Sequence, residues 1–458
     1  MRILLIRPRP DPETIGLQSL MVCEPLELEY LAAAVGEGHE VVIRDLILDR
    51  RSLRSLLDEH RPDIAGFTAY ISHVKVVRDL CDLVKQWDPG TLTVVGGVHA
   101  EVIPSDFSWP SIDLVVHGNA LATFREIVER WSAGEKSVSS LREGLAGVWR
   151  EGKPRPTMGF MPLLPHPNRA ATRLYRSRYY YLLHQPCATV KTSLGCPYSC
   201  EFCFCRTITQ GTYWVRELED VFAELESITE PEVYMVDDNF LVSRERVLAF
   251  CDGLEARGIR KRFLIYGRAD FIADNEDVMA RFVACGLRAV IVGMESFKNE
   301  ELDGYGKRLA AETSERAAAI LNRVGVDCYA TLILRPEWDD QDFRDLSAWL
   351  RRLGIHFVNL QPLTPLPGTS LLARFEKELI IPREEFAKWD LAHLCIAPQK
   401  LSAGQYYARI LRTYSEVCLS RASLAHFIAR YGVIRCLKLV PGLLQISAQY
   451  AWKAWRFR

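Results

Sequence analysis

Short apolar runs alternate along this chain with stretches that are apolar on one side only. Arg2-Ile-Leu-Leu-Ile6, closed by Arg7-Pro8, reads as a buried parallel strand. A helix over 24–34 follows, with Pro25 in its first turn, where a missing N–H costs nothing. The pattern then predicts strand 39–45, helix 52–59, strand 63–68, helix 74–86, strand 91–95, strand 112–116 and helix 122–131. Strands and helices alternating at this pitch predict an α/β, doubly wound parallel sheet over residues 1–150. Such sheets take ligands outside the carboxyl ends of their strands. The candidate binding loops are Thr68 to Ser72, Gly96-Gly97-Val98-His99 and His117-Gly118-Asn119. Their glycines let backbone come close to a bulky ligand. There is no G-x-G-x-x-G, which disfavours a dinucleotide.

Residues 151–186 read as a linker, with Pro154, Pro156, Pro162, Pro165 and Pro167 crowded together. The alternation then resumes over 187–375, with strands at 188–194, 232–236, 263–266, 289–292, 327–334 and 357–361. Helices are predicted between them at 217–228, 244–257, 277–285, 314–324 and 341–353. Six strands suit a partial, open (β/α)6 barrel, whose chemistry sits at the carboxyl ends of its strands. Residues 376–458 form a helical C-terminal region, with helices predicted at 383–394 and 403–420.

Composition narrows the class without naming a function. Of 458 residues, 48% are apolar and 25% charged, and the net charge of −1 gives no general pull toward nucleic acid. The 13 cysteines are scattered from Cys23 to Cys436, which favours a reducing cytosol. No stretch reaches the apolar length of a membrane span. The tail differs: from Val417 onward there is no acidic residue, against seven Lys/Arg interleaved with Phe427, Tyr431, Tyr450, Trp452, Trp455 and Phe457. It fits a helix lying on the inner face of an anionic membrane, or one docked on the barrel with its charge in solvent. Nucleic acid is a weaker third reading, since no base-reading module accompanies the charge.

The densest chemistry lies at Cys196-Pro-Tyr-Ser-Cys200-Glu-Phe-Cys203, just after the first barrel strand. Thiolates favour zinc, copper(I) and iron–sulfur clusters. Three on a short loop can hold three irons of a [4Fe–4S] cube and leave the fourth open. The competing reading is a four-thiolate zinc site completed by Cys205 or Cys187, but no second C-x2-C pair is present. Polar groups follow the later strands: Asp237-Asp238-Asn239, Arg268-Ala-Asp270, Gly293-Met-Glu295-Ser296 and Leu334-Arg335-Pro336-Glu337. A guanidinium such as Arg268 suits a carboxylate ligand; the plainer role for Asp238 is capping the next helix. The turn-rich loop Gln361 to Thr369 would face substrate.

The cysteine spacing and the βα alternation after it resemble the radical S-adenosylmethionine enzymes. That resemblance implies that Cys196, Cys200 and Cys203 hold a [4Fe–4S] cluster whose open iron chelates S-adenosylmethionine. It places Phe202 beside the adenine, and Asp237, Asp238, Arg268, Glu295 and Arg335 around the rest of that molecule. The phrases Pro25-Leu-Glu-Leu-Glu-Tyr-Leu, Gly38-His-Glu-Val, Pro62-Asp-Ile-Ala-Gly-Phe-Thr and Val95-Gly-Gly-Val-His-Ala100 are similar to the cobalamin-binding domain of one large class of these enzymes. On that likeness Thr68, Ser72, Gly96, Gly97, His99 and Gly118 face cobalamin. Two departures stand out: Arg44-Asp45-Leu46-Ile47 lacks a cobalt-binding histidine, and Gly118-Asn-Ala-Leu121 replaces the usual G-E-G-E. The family's missing glycines before Glu337 also put its backbone contact to adenosine in doubt.

Most of that class are methyltransferases. One S-adenosylmethionine methylates the corrin, and a second yields a 5′-deoxyadenosyl radical that activates a carbon of a small-molecule or lipid substrate. A reductant such as flavodoxin or ferredoxin is implied. The Gly-Arg-Ala-Asp and Leu-Thr-Pro-Leu-Pro-Gly-Thr phrases, with the tail, look most like hopanoid C-3 methylases. The alternatives are a ring-forming or rearranging enzyme of the same class, a domain of the cobalamin fold that has lost its cofactor, and a corrinoid carrier or sensor.

Overall fold

The computed structural model describes residues 1–157 and 164–458, so Pro162 of the proline-rich stretch lies outside the described residues. The N-terminal sheet contains β1 (Arg2–Arg7), β2 (Glu40–Asp45), β3 (Ile64–Thr68), β4 (Leu92–Gly96) and β5 (Leu114–Val115). Its order is β2-β1-β3-β4-β5, all parallel. Helices α1 (Leu26–Val35) and α5 (Ala120–Ser132) cover one face; α2 (Leu53–His60) and α3 (Val74–Trp87) cover the other. β1 feeds both layers: Ile3 and Leu5 enter one apolar cluster, Leu4 and Ile6 the other, as a period of two requires. The order reverses between β1 and β3, and that switch point opens a crevice beside Thr68. The strand expected over 112–116 contracts to β5 and a single bridge from Val116 to Val148.

The second sheet runs β6 (Cys187–Val190), β7 (Glu232–Met235), β8 (Arg262–Gly267), β9 (Leu287–Glu295), β10 (Asp327–Leu334) and β11 (Phe357–Pro362), parallel and in sequence order. Helices α6 (Leu218–Ser227), α7 (Arg244–Ala256), α8 (Glu276–Ala284), α9 (Ala311–Val324) and α10 (Asp340–Arg352) link the strands from β6 to β11. Among the described residues β6 and β11 do not pair, so this is the open barrel that the alternation predicts. The strand expected over 188–194 breaks after Val190. Ser193–Leu194 turns off to pair antiparallel with Trp214–Val215, which lifts the cysteine loop clear of the sheet.

Helices α11 (Ala403–Cys418), α12 (Arg421–Tyr431) and α13 (Val433–Arg456) complete the chain. Leu439 and Leu443 of α13 pack with Leu183, Tyr329 and Phe357 of the barrel interior. Gly442 passes so near the Ser19 carbonyl oxygen that an added Cβ would lie 2.0 Å from it. The helix expected over 383–394 is absent; a short turn at Phe386–Lys388 stands in its place. The Asp390 carboxylate accepts from the N–H groups of Ala392 (3.0 Å) and His393 (2.9 Å), bonds that divert backbone from a helix. It also accepts from Ile15 N–H at 2.7 Å, tying this segment to the N-terminal domain.

The stretch before the barrel is a strap rather than a free tether. Tyr180–Tyr181 pairs with Met21–Val22, and a buried charge cluster sits beneath. Glu24 accepts from Arg169, from Arg176 (2.9 Å) and from Thr189 N–H (2.5 Å). Arg169 also reaches Glu224 at 2.6 Å, which Arg216 meets at 2.6 Å. Buried ions persist only when paired in this way.

Candidate active site

The cysteine loop is anchored from below. Asp237, at the end of β7, is almost wholly buried and accepts from the N–H groups of Thr192 (2.6 Å) and Ser193 (2.9 Å) and from the Thr192 hydroxyl. Asp238 accepts from Gly195 N–H (3.1 Å) and from the Cys205 thiol (3.2 Å). Gly195 has φ +82°, and a Cβ there would meet the Thr212 carbonyl oxygen at 2.2 Å. Only glycine can open this loop. Cys196, Cys200 and Cys203 are free and partly exposed. Burial raises the Cys196 and Cys200 thiols, while hydrogen bonding with Cys205 lowers Cys203.

Among the described residues no three His, Cys, Asp or Glu side chains converge tightly enough for a single metal ion. A polynuclear cluster, gripped at separate irons, fits the three cysteines where a four-thiolate zinc site does not. Cys187 faces the barrel's apolar interior, and Cys205 is engaged with Asp238.

Residues from the other strand ends ring the loop. The Arg268 guanidinium stacks 3.7 Å above the Tyr198 ring, pairs with Asp270 at 3.0 Å and lies 4.0 Å from Cys200 Sγ. A shift in register between Gly293 and Glu295 leaves Glu295 in the left-handed region at φ +63°. A non-glycine residue held there costs about 1–3 kcal/mol. The bulge re-aims Glu295 onto Lys307, 2.7 Å away and equally buried. Lys307 Nζ stands 5.8 Å from the centroid of the Phe202 ring, whose edge meets Tyr305 at 5.8 Å. Arg335 pairs with Glu337 at 2.9 Å and lies 5.7 Å from the Tyr305 ring centroid. Phe202, Arg268, Glu295 and Arg335 are thus linked around the cysteines. Asp237 lies beneath them as a brace. Lys307 and Tyr305 carry no periodic or motif signal of their own, and Tyr198, though inside the cysteine motif, gains its place under Arg268 only on folding.

On the N-terminal side Gly97 has φ +100°, and a Cβ would sit 2.6 Å from Ala69 N and 2.8 Å from Thr68 Oγ1. The Thr68 and Gly96-Gly97 loops therefore interlock at the switch point. Ser72 lies on the half-exposed turn Ile71–His73 beside them. His99 is buried and bonded to Asp106 at 2.8 Å, so its ring is committed within the domain. Gly118 lies under Pro156, whose Cγ would be 2.6 Å from an added Cβ. The neighbouring His117 is buried, and among the described residues its Nε2 has no partner. Burial and then Arg155 hold this imidazole neutral, with its pKa lowered to about 4. An interlocked glycine cradle with an orphaned buried nitrogen beside it fits a large, amide-rimmed ligand such as a corrin.

The two sides meet. Arg155 Nη2 donates to Glu101 (2.9 Å), on the short helix α4 (Val98–Val102) that follows the Gly96-Gly97 loop, and to the Ile208 carbonyl (2.8 Å). Its Nη1 donates to the Thr207 carbonyl at 3.1 Å. Thr207 and Ile208 close the helical turn that begins at Cys205. Gly368, in the loop after β11, lies against both sides, since its carbonyl accepts from the Thr207 hydroxyl at 2.7 Å and an added Cβ would sit 2.5 Å from Val102 Cγ1.

The B12 binding domain model matches residues 12–128, and the Radical SAM superfamily model matches residues 190–350. A hopanoid C-3 methylase of Methylococcus capsulatus is 26% identical over 466 aligned positions, covering 100% of this chain and 87% of its own length. An anaerobic magnesium-protoporphyrin IX monomethyl ester cyclase of Rubrivivax gelatinosus is 22% identical, covering 93% and 79%. Among solved structures, the methyltransferase TsrM of Kitasatospora setae, with cobalamin and a [4Fe-4S] cluster bound, matches with a TM-score of 0.70 at 16% identity over 99% of both chains. OxsB, with aqua-cobalamin and S-adenosylmethionine bound, gives 0.70 at 15% identity over 98% of this chain and 71% of its own. These likenesses show the fold, and the two family models fall on the two domains, one on each parallel sheet. The chain belongs to the cobalamin-binding radical S-adenosylmethionine enzymes.

Proposed function

We propose that this enzyme transfers a methyl group to an unactivated carbon of an apolar, lipid-like substrate held between its two domains. The observation that carries the reading is the Arg155 bridge, which fastens the Gly96-Gly97 side of the cradle to the turn leaving the cysteine loop. When bound, the cluster supplies the electron that cleaves S-adenosylmethionine, and cobalamin carries the methyl group.

The chain's part is positioning. Cys196, Cys200 and Cys203 hold the cluster, and Asp237, Asp238 and Gly195 keep their loop in register. Phe202 offers its ring to adenine. The Arg268 guanidinium is placed for the methionine carboxylate. Glu295, steadied by Lys307, accepts from the ribose, and Arg335 guards the rim beside Tyr305. Thr68, Ser72, Gly96 and Gly97 seat the corrin; His99 and Gly118 act through Asp106 and Pro156, which shape the cradle's edge. Electrons come from a flavodoxin- or ferredoxin-like donor. The apolar substrate class rests on the 26% likeness to a hopanoid methylase along the whole chain.

The test is incubation of reconstituted enzyme, a reductant and methyl-deuterated S-adenosylmethionine with pentacyclic triterpenoids and, separately, with water-soluble metabolites. The reading expects label in the triterpenoid, with S-adenosylhomocysteine and 5′-deoxyadenosine in equal amounts. 5′-Deoxyadenosine alone, with a ring-closed product, would favour the cyclase reading that the Rubrivivax likeness keeps in view.

A further inference from the structure

Helix α13 has two apolar sides, and the barrel uses only one. Leu439, Leu443, Ile446 and Tyr450 pack inward. On the outer side Ile434, Leu437, Pro441, Leu444, Ala448, Ala451 and Trp455 are all exposed. They recur every three or four residues, so they form one continuous stripe along a helix about 36 Å long. Ile434 is 75% exposed, Leu437 61%, Leu444 65% and Trp455 65%. Leu424 and Ile428 of α12 are exposed as well. Nothing among the described residues covers the stripe, and an apolar patch of this length signals an interaction surface.

Charge selects the occupant. From Val417 to Arg458 the chain has seven Lys/Arg and no Asp or Glu. Of these, Arg421, Lys438, Arg456 and Arg458 are exposed beside the stripe or at its ends, and Trp452 and Trp455 stand at the C-terminal end. A second copy would bring the same excess of positive charge against this one. A bilayer rich in anionic lipid offers an apolar layer under a negative surface and suits both features. No helix among the described residues is long and apolar enough to cross a membrane, so the geometry allows only contact along the surface.

We infer that the outer face of α12 and α13 docks this enzyme flat on an anionic bilayer. The inference deepens the apolar-substrate reading and rests on it for its purpose, since an enzyme that acts on a lipid meets its substrate at a bilayer. Binding itself is read without S-adenosylmethionine or turnover, so failure to dock and failure to methylate are separate results.

The test is co-flotation of the full, cofactor-loaded protein with phosphatidylcholine vesicles and with vesicles of phosphatidylcholine and phosphatidylglycerol at 3:1, alongside light scattering of the free protein. Binding to the anionic vesicles is expected at least tenfold above binding to the neutral ones, weakening several-fold in high salt. L437E/L444E should lose at least tenfold of it and K438E/R456E several-fold, each with cobalamin content unchanged. Equal failure on both vesicle types would overturn the inference. So would a stable dimer in solution that L437E/L444E dissociates, which would assign the stripe to a second copy.

Discussion

Glu101 and Ile208, 107 positions apart in sequence, meet on one guanidinium: Arg155 Nη2 is 2.9 Å from the Glu101 carboxylate and 2.8 Å from the Ile208 carbonyl oxygen. Glu101 belongs to the N-terminal domain and Ile208 to the turn that follows the cysteine loop, so Arg155 ties the two domains to each other. Arg155→Ala should leave the cysteines and their neighbours in place but loosen the approach of the domains. Product methylation should fall by about 10- to 100-fold, the penalty for misplacing reacting groups by an ångström or so. 5′-Deoxyadenosine formation should change little. Chromatography of both products from one reaction distinguishes this uncoupling from a general loss of activity.

Cys196→Ala, Cys200→Ala and Cys203→Ala should each abolish 5′-deoxyadenosine formation and lower the iron retained after anaerobic reconstitution. Cys205→Ala should keep much of both, since its thiol is engaged with Asp238. An unaffected Cys200→Ala enzyme would contradict the ligand assignment.

Lys307 and Glu295 form a nearly dry ion pair, 5% and 9% exposed at their side chains. Removing one partner of such a pair typically costs about 3–5 kcal/mol. Lys307→Ala should therefore destabilise strongly in chemical denaturation, whereas K307M/E295Q should recover most of the loss and still bind S-adenosylmethionine poorly. If the double variant were as unstable as the single one, unpaired charge would not be the cause.

The left-handed backbone at Gly97 leaves no room for a side chain, with Ala69 N only 2.6 Å from an added Cβ. Gly97→Ala should lose most of its corrin on desalting, measured by visible absorbance, while iron content stays at the wild-type level. Equal corrin retention would move the cradle elsewhere.

Glu29 on α1 is buried beside Glu24, and its carboxyl is pushed up to about 8, first by burial and then by that neighbour. The folded state thus holds a proton that the unfolded chain releases near the usual carboxylate value of about 4.5. Its contribution is fully present below that value and declines as the pH rises toward 8. Glu29→Gln should therefore match the wild type in melting temperature near pH 5 and exceed it at pH 8. A constant difference across that range would mean that Glu29 does not titrate there.

Much of this site was legible before folding was considered. Loops at strand ends and the spacing of Cys196, Cys200 and Cys203 are local signals, carried by period and by a short motif. Register and tertiary context are not. Asp237 reads like a ligand because it follows a strand, yet the fold turns its carboxylate onto Thr192 and Ser193. Residues 383–394 have helical spacing, but Asp390 captures nearby N–H groups and Trp389 is buried, so the segment folds as a loop against the N-terminal domain. Lys307 lies 12 residues beyond Glu295 in an unpatterned loop, and only the bulge in β9 brings the pair together. The exposed stripe on α13 could be read as an apolar period, but not as the side left free.

The central claim is that a cluster on Cys196, Cys200 and Cys203 shares one cleft with a corrin seated at Gly96 and Gly97. Electron paramagnetic resonance of the doubly loaded protein, with the cluster reduced and the cobalt in its Co(II) state, tests it without a substrate. The account predicts faster relaxation and broadening of the cobalt signal by the nearby cluster spin, lost in Cys200→Ala and present in Cys205→Ala. A cobalt signal identical with and without the reduced cluster would place the two cofactors too far apart to share a methyl group.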